Sequence, residues 1–96
     1  MQNKIELLAR TNGCEKVCDQ TIEECAELIV ALRHYARFGT GERITQISEV
    51  WSEIADVEIM LEQLKYCLYG EKEVEKIKAE KIERQLKRFG LKGTGK

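Results

Sequence analysis

The chain has 96 residues, 43% hydrophobic and 34% charged, with 17 acidic side chains against 16 basic ones and no proline. Such a length holds one small domain, and a net charge of −1 gives no whole-chain attraction for nucleic acid polymers or an anionic membrane surface. No apolar run approaches the length that spans a bilayer, and the opening Met1-Gln2-Asn3-Lys4-Ile5-Glu6 leads into no apolar targeting segment, so a cytoplasmic protein is expected.

Apolar residues recur at helical spacing and no stretch alternates with period two, which predicts an all-α fold without a sheet. A short first helix covers roughly residues 2–10 and stops at the turn signal Thr11-Asn12-Gly13. A second runs from about Cys14 to Phe38 and stops at Gly39. Gly39-Thr40-Gly41-Glu42 reads as the most flexible internal loop. The third begins between Arg43 and Thr45 and reaches Tyr69, with Gly70 as its C-terminal punctuation. The fourth covers Glu71 to about Phe89 and ends at Gly90. Residues 91–96 are expected to form a disordered tail, leaving 1–90 as a single domain: an antiparallel bundle of three long helices plus the short first one.

Two acidic pairs stand out. Glu24-x-x-Glu27 lies on the second helix and Glu53-x-x-Asp56 on the third. Residues three apart share one helix face, so each pair makes a two-carboxylate claw. At roughly 100° per residue, Val50, Ile54, Val57, Leu61, Leu64 and Leu68 form the third helix's apolar arc, and Glu53 falls inside it with Asp56 at its edge. On the second helix the apolar stripe reads as Ile22, Cys25, Ile29, Leu32 and Ala36, with Glu24 directed between Leu28, Ala31 and Tyr35. A carboxylate on an apolar face costs several kcal/mol unless neutralised, paired or metal-bound. Acidic pairs alone are commonly solvated surface; Glu53 is the residue that asks for a cation. Four carboxylates facing one another call for a hard ion such as Mg²⁺.

The remaining chemistry-bearing residues read as structural. Cys14, Cys18, Cys25 and Cys67 lack the paired knuckles of a zinc site and are expected as free thiols, Cys25 and Cys67 packing as small hydrophobes. His34 reads as a surface group near a helix end. A di-iron carboxylate bundle needs Glu-x-x-His pairs, but Val30 follows Glu27 and Asp56 follows Glu53 at that spacing, and no Glu precedes His34 by three. No EF-hand loop is present. The fourth helix carries a narrow apolar seam of Val74, Ile77, Ile82, Leu86 and Phe89, with Lys78, Lys81, Arg84 and Lys87 laid along one side.

Taken together, Glu23-Glu24-Cys25-Ala26-Glu27-Leu28, Glu53-Ile54-Ala55-Asp56-Val57 within the stretch Glu49 to Leu64, and Lys81-x-x-Arg84 resemble the MazG-like family of all-α nucleoside triphosphate pyrophosphohydrolases. The similarity spans about residues 13–88. It implies that Glu24, Glu27, Glu53 and Asp56 coordinate Mg²⁺, with Mn²⁺ as a substitute, and that these four carboxylates are the catalytic centre. It further implies cleavage of a (deoxy)nucleoside triphosphate between its α- and β-phosphates, with Lys81 and Arg84 on phosphate oxygens. Glu23 or Glu49 would support the ligands, and Trp51, Tyr35 and His34 are candidates for base recognition. The wide apolar arcs of so short a chain, with Trp51 and Ile59 off the main stripe, predict that another copy completes the bundle, most simply through a two-fold interface, and the resemblance implies a homodimer or homotetramer. The alternative from another class is a non-catalytic oligomeric helical adaptor, which long amphipathic helices would equally suit.

Overall fold

The computed structural model describes residues 2–37 and 40–92, which form four α-helices and no strand: α1 Gln2–Asn12, α2 Cys14–Arg37, α3 Thr40–Cys67 and α4 Glu71–Arg88. Phe38 and Gly39, where the second helix was expected to stop, lie outside the described residues, as does the tail from 93 to 96. α3 starts earlier than the sequence suggests. Gly41 and Glu42, expected in a flexible loop, belong to its first turns. None of the helices is long and apolar enough to cross a membrane.

α2 and α3 run antiparallel. Cys14 at the start of α2 is joined to Cys67 at the end of α3, and Leu32 and Tyr35 near the other end of α2 meet Ile47 and Val50 early in α3. The facing residues repeat at alternate steps of three and four, the spacing of a coiled-coil seam. On α2 they are Val17, Thr21, Glu24, Leu28, Ala31 and Tyr35; on α3 they are Val50, Glu53, Val57, Met60, Leu64 and Cys67, all buried or half-buried. The α2 stripe expected from sequence is therefore one residue out of register. Ile22 and Ile29 are 69% and 60% exposed, because polar Thr21 and Glu24 occupy the true inner face. The α3 expectation is half met: Val50, Val57 and Leu64 face inward, but Ile54, Leu61 and Leu68 are exposed.

α1 folds back over the lower half of this pair. Ile5 and Ala9 are buried, and polar staples fix the helix to α3. Arg10 Nε donates to the Tyr66 hydroxyl at 2.8 Å, and Arg10 also pairs with Glu6 at 2.8 Å. Tyr66 Oη donates in turn to Glu6 Oε2 at 3.2 Å. Asn12 Nδ2 reaches Gln63 Oε1 at 3.4 Å; Gln63 is only 2% exposed, so this contact offsets part of the cost of its burial. Gly13 makes the one-residue corner between α1 and α2 at φ +88°. Its N–H caps Ala9 O at 2.9 Å and its carbonyl accepts from Val17 N–H at 3.0 Å, which only a residue at ease with positive φ does without strain.

The cysteine expectation is corrected at this end of the bundle. Cys14 and Cys67 are not free thiols but a disulfide, with Cα atoms 5.6 Å apart, inside the usual span. Sequence spacing could not show it, since the pairing depends on the antiparallel register that brings the two helix ends together. Cys18 and Cys25 remain thiols.

α4 behaves differently. Among the described residues it touches α3 alone of the other helices, through the region where Lys65 approaches Glu75 at 3.7 Å, and none of its residues is buried. The described chain consequently spreads over 42 × 38 × 21 Å rather than closing into a three-long-helix bundle. The helix end that redirects the chain also departs from expectation. Tyr69, not Gly70, holds the left-handed position at φ 55°, while Gly70 sits at φ −120° and caps α4.

Candidate metal centre

The antiparallel register puts the two acidic claws level with each other. α2 supplies Glu24 and Glu27 one turn apart; α3 supplies Glu53 from directly across the seam. One carboxylate oxygen from each of Glu24, Glu27 and Glu53 falls within 4.8 Å of the others. Glu24 and Glu53 are half-buried in the seam itself and Glu27 is exposed at its rim. Asp56, the fourth expected ligand, is half-buried on the same side of α3. It stands outside the tight trio, yet near enough for its charge to act on both Glu24 and Glu53.

The electrostatics follow from this crowding. Burial raises the Glu24 carboxyl above its ordinary range first, and the charges of Glu27, Asp56, Glu53 and Glu23 push the same way. Glu53 is raised likewise, by burial and then by Glu27, Asp56 and Glu49. No cation from the chain relieves them: among the described residues, Oε1 of Glu24 and Oε1 of Glu53 are buried and accept no hydrogen bond. Two such oxygens, converging with a third carboxylate, fit a hard divalent cation. Carboxylate oxygens are its preferred ligands, and a bound charge of +2 turns their mutual repulsion into attraction.

The expected phosphate contacts lie elsewhere in the chain. Lys81 and Arg84 are exposed on α4, which touches neither α1 nor α2 among the described residues. Their side chains take no part in the ion pairs described, whereas Lys78 approaches Glu75 at 3.5 Å. Of the candidates for base recognition, Tyr35 and Trp51 line an apolar hollow of about 300 Å³ beside the carboxylates, completed by Leu32, Ile47, Val50 and Ile54. Val50 and Ile54 flank Glu53 on α3, so hollow and cluster adjoin. His34 is exposed in the last turn of α2 and is not part of that lining. Glu23 and Glu49 are exposed and act on the cluster through charge.

Comparison with protein families, with characterised proteins and with solved structures finds no match to this chain.

Proposed function

We propose that the chain is a Mg²⁺-dependent nucleoside triphosphate pyrophosphohydrolase of MazG-like type. The observation that carries this reading is the pair of unpartnered, buried carboxylate oxygens of Glu24 and Glu53, set against Glu27 across a largely apolar seam. A purely structural seam has no use for two charges at its inner positions, since each is costly there without a counter-charge.

In this reading Glu24, Glu27, Glu53 and Asp56 hold Mg²⁺, or Mn²⁺ in its place. When bound, the metal neutralises phosphate oxygens and lowers the pKa of an attacking water. Water then adds at phosphorus and the bond between the α- and β-phosphates breaks, giving a nucleoside monophosphate and pyrophosphate. Glu27, exposed at the rim, stands where the polyphosphate enters. The hollow lined by Tyr35 and Trp51 receives the base, with Trp51 offering a ring face for stacking. Lys81 and Arg84 bind phosphate oxygens, the guanidinium in bidentate fashion. The bundle is completed by further copies, in a homodimer or homotetramer. Ile22, Ile29 and Trp51, all more than half exposed, supply an apolar face of the kind that oligomers cover.

The test is a pyrophosphate-release screen over ordinary and modified ribo- and deoxynucleoside triphosphates, with Mg²⁺ and with Mn²⁺. Release that depends on the metal and is lost in Glu53→Gln supports the reading. No release from any triphosphate, together with no metal-dependent rise in Tm, leaves the oligomeric adaptor as the better account.

A further inference from the structure

α4 leaves the bundle as an arm about 27 Å long, from 18 residues at 1.5 Å each, and its far end is closed in a defined way. Gly90 turns at φ +74°. Its N–H donates to Lys87 O at 3.0 Å, and the Leu91 N–H donates to Leu86 O at 2.8 Å. These two bonds make a Schellman motif, which fixes Phe89 and Leu91 just beyond the last helical turn.

Charge is separated along the chain, and a net charge near zero conceals it. Residues 1–70 hold 12 acidic against seven basic side chains, and Glu71 to Arg84 holds five of each. Gln85 to Lys92 holds three cations, Lys87, Arg88 and Lys92, and no acid. None of the three joins an ion pair among the described residues. Among them stand Phe89 and Leu91, 73% and 57% exposed. At roughly 100° per residue Phe89 continues the apolar side of Ile82 and Leu86, while Lys87 and Arg88 point to the other side. Helix-end chemistry explains part of this pattern. Cations complement the negative end of the helix dipole, and a Schellman turn commonly sets an apolar residue after its glycine. It does not explain a phenyl ring left in water beside three cations that have no counter-charge.

We propose that the tip of α4 docks the protein on an anionic membrane surface. Phe89 and Leu91 enter the boundary between headgroups and acyl chains, and Lys87, Arg88 and Lys92 lie among the anionic headgroups. The acid-free tip suits such a surface and the rest of the chain does not. Because α4 touches α3 only near its root, the acidic excess of residues 1–70 stays an arm's length away. That is well beyond a Debye length of about 8 Å at physiological salt. The contact makes no use of the carboxylate cluster, so it goes beyond the pyrophosphohydrolase reading and stands or falls apart from it.

Vesicle co-sedimentation of the full chain tests it. The chain should sediment with mixed phosphatidylserine–phosphatidylcholine vesicles and little with phosphatidylcholine alone, and binding should weaken steeply as salt rises. Replacing both Lys87→Gln and Arg88→Gln should lower the partition coefficient about 25-fold, at about fivefold per cation. Replacing both Phe89→Ser and Leu91→Ser should lower it at least about tenfold, through lost apolar insertion. All four positions are exposed, and an unchanged Tm shows that each variant is folded. No sedimentation at low salt, equal binding to neutral vesicles, or undiminished binding by either variant overturns the proposal. Release by millimolar soluble glycerophosphoserine overturns it too, since the tip then binds a free anion rather than a surface. Tighter binding to a single-stranded oligonucleotide than to vesicles, lost in the same variants, overturns it in favour of nucleic acid.

Discussion

Glu53 sits where a hydrophobe belongs, and its position was legible in the sequence because on the helical wheel it falls between Met60 and Leu64. Its partner Glu24 was harder to read. It replaces a hydrophobe on α2's true inner face, which made that face look polar and moved the expected stripe onto Ile22 and Ile29. The proposed metal ligand thus hid the packing that holds it. Removing one charge from the cluster should separate function from stability. Glu53→Gln is expected to abolish hydrolysis, because an amide is a weaker Mg²⁺ ligand, while raising the Tm of the metal-free protein at neutral pH, because a buried charge without a partner has gone. Glu58→Gln and Glu62→Gln, both at exposed positions on α3, should change neither. Retained turnover in Glu53→Gln sinks the assignment. The pH dependence has a definite sign. A carboxyl raised in the folded state stabilises the fold fully below its unfolded pKa, about 4.3 for glutamate, and that contribution is lost as pH rises through the folded value. Since Glu53 is raised, the Tm advantage of metal-free Glu53→Gln over wild type should be small near pH 4 and grow towards pH 7. A constant difference over that range would mean that Glu53 is not under strain.

At the scale of elements, four helices were legible and their ends mostly so, because Gly13 and Gly90 stop α1 and α4 at positive φ. The joint between α3 and α4 was read one residue late. Glycine is the expected left-handed residue at a helix end, yet here Tyr69 adopts φ 55° and Gly70 does not. The geometry of the cap, with Gly70 N–H reaching Lys65 O, requires the residue before Gly70 to turn, whatever its side chain. Tyr69 is 92% exposed and has little packing to lose. Tyr69→Gly should therefore stabilise the fold by about 0.5–1 kcal/mol, the usual cost of a side chain in that region, measured by urea unfolding. A loss of stability would show that the ring contributes more than its exposure suggests.

At the scale of the whole molecule, the pairing of helix ends was the least legible feature. Cys14 and Cys67 are far apart in sequence, and each taken alone looks like an ordinary half-apolar helical position. Only the antiparallel register makes them neighbours. With a sequence separation of 53, the chain-entropy model gives a stabilisation of about 4 kcal/mol. Urea unfolding with and without a phosphine reductant should show a loss of that order. Cys67→Ser should match the reduced protein and respond no further to reductant. Equal stability in both states would mean that the cross-link contributes nothing to the fold. The splayed placement of α4 was equally hidden, because its seam of Val74, Ile77, Ile82, Leu86 and Phe89 resembles that of any helix packed inside its own bundle.

The same cross-link has a topological consequence. It closes a covalent ring from residue 14 to residue 67 that contains all four carboxylates, and leaves α1 and α4 as open arms outside it. A single backbone cut between α2 and α3 would open the ring without releasing either claw. The nicked protein should migrate as one species on a denaturing gel until reductant is added, and only then separate into two fragments, with Glu24 and Glu27 on one and Glu53 and Asp56 on the other.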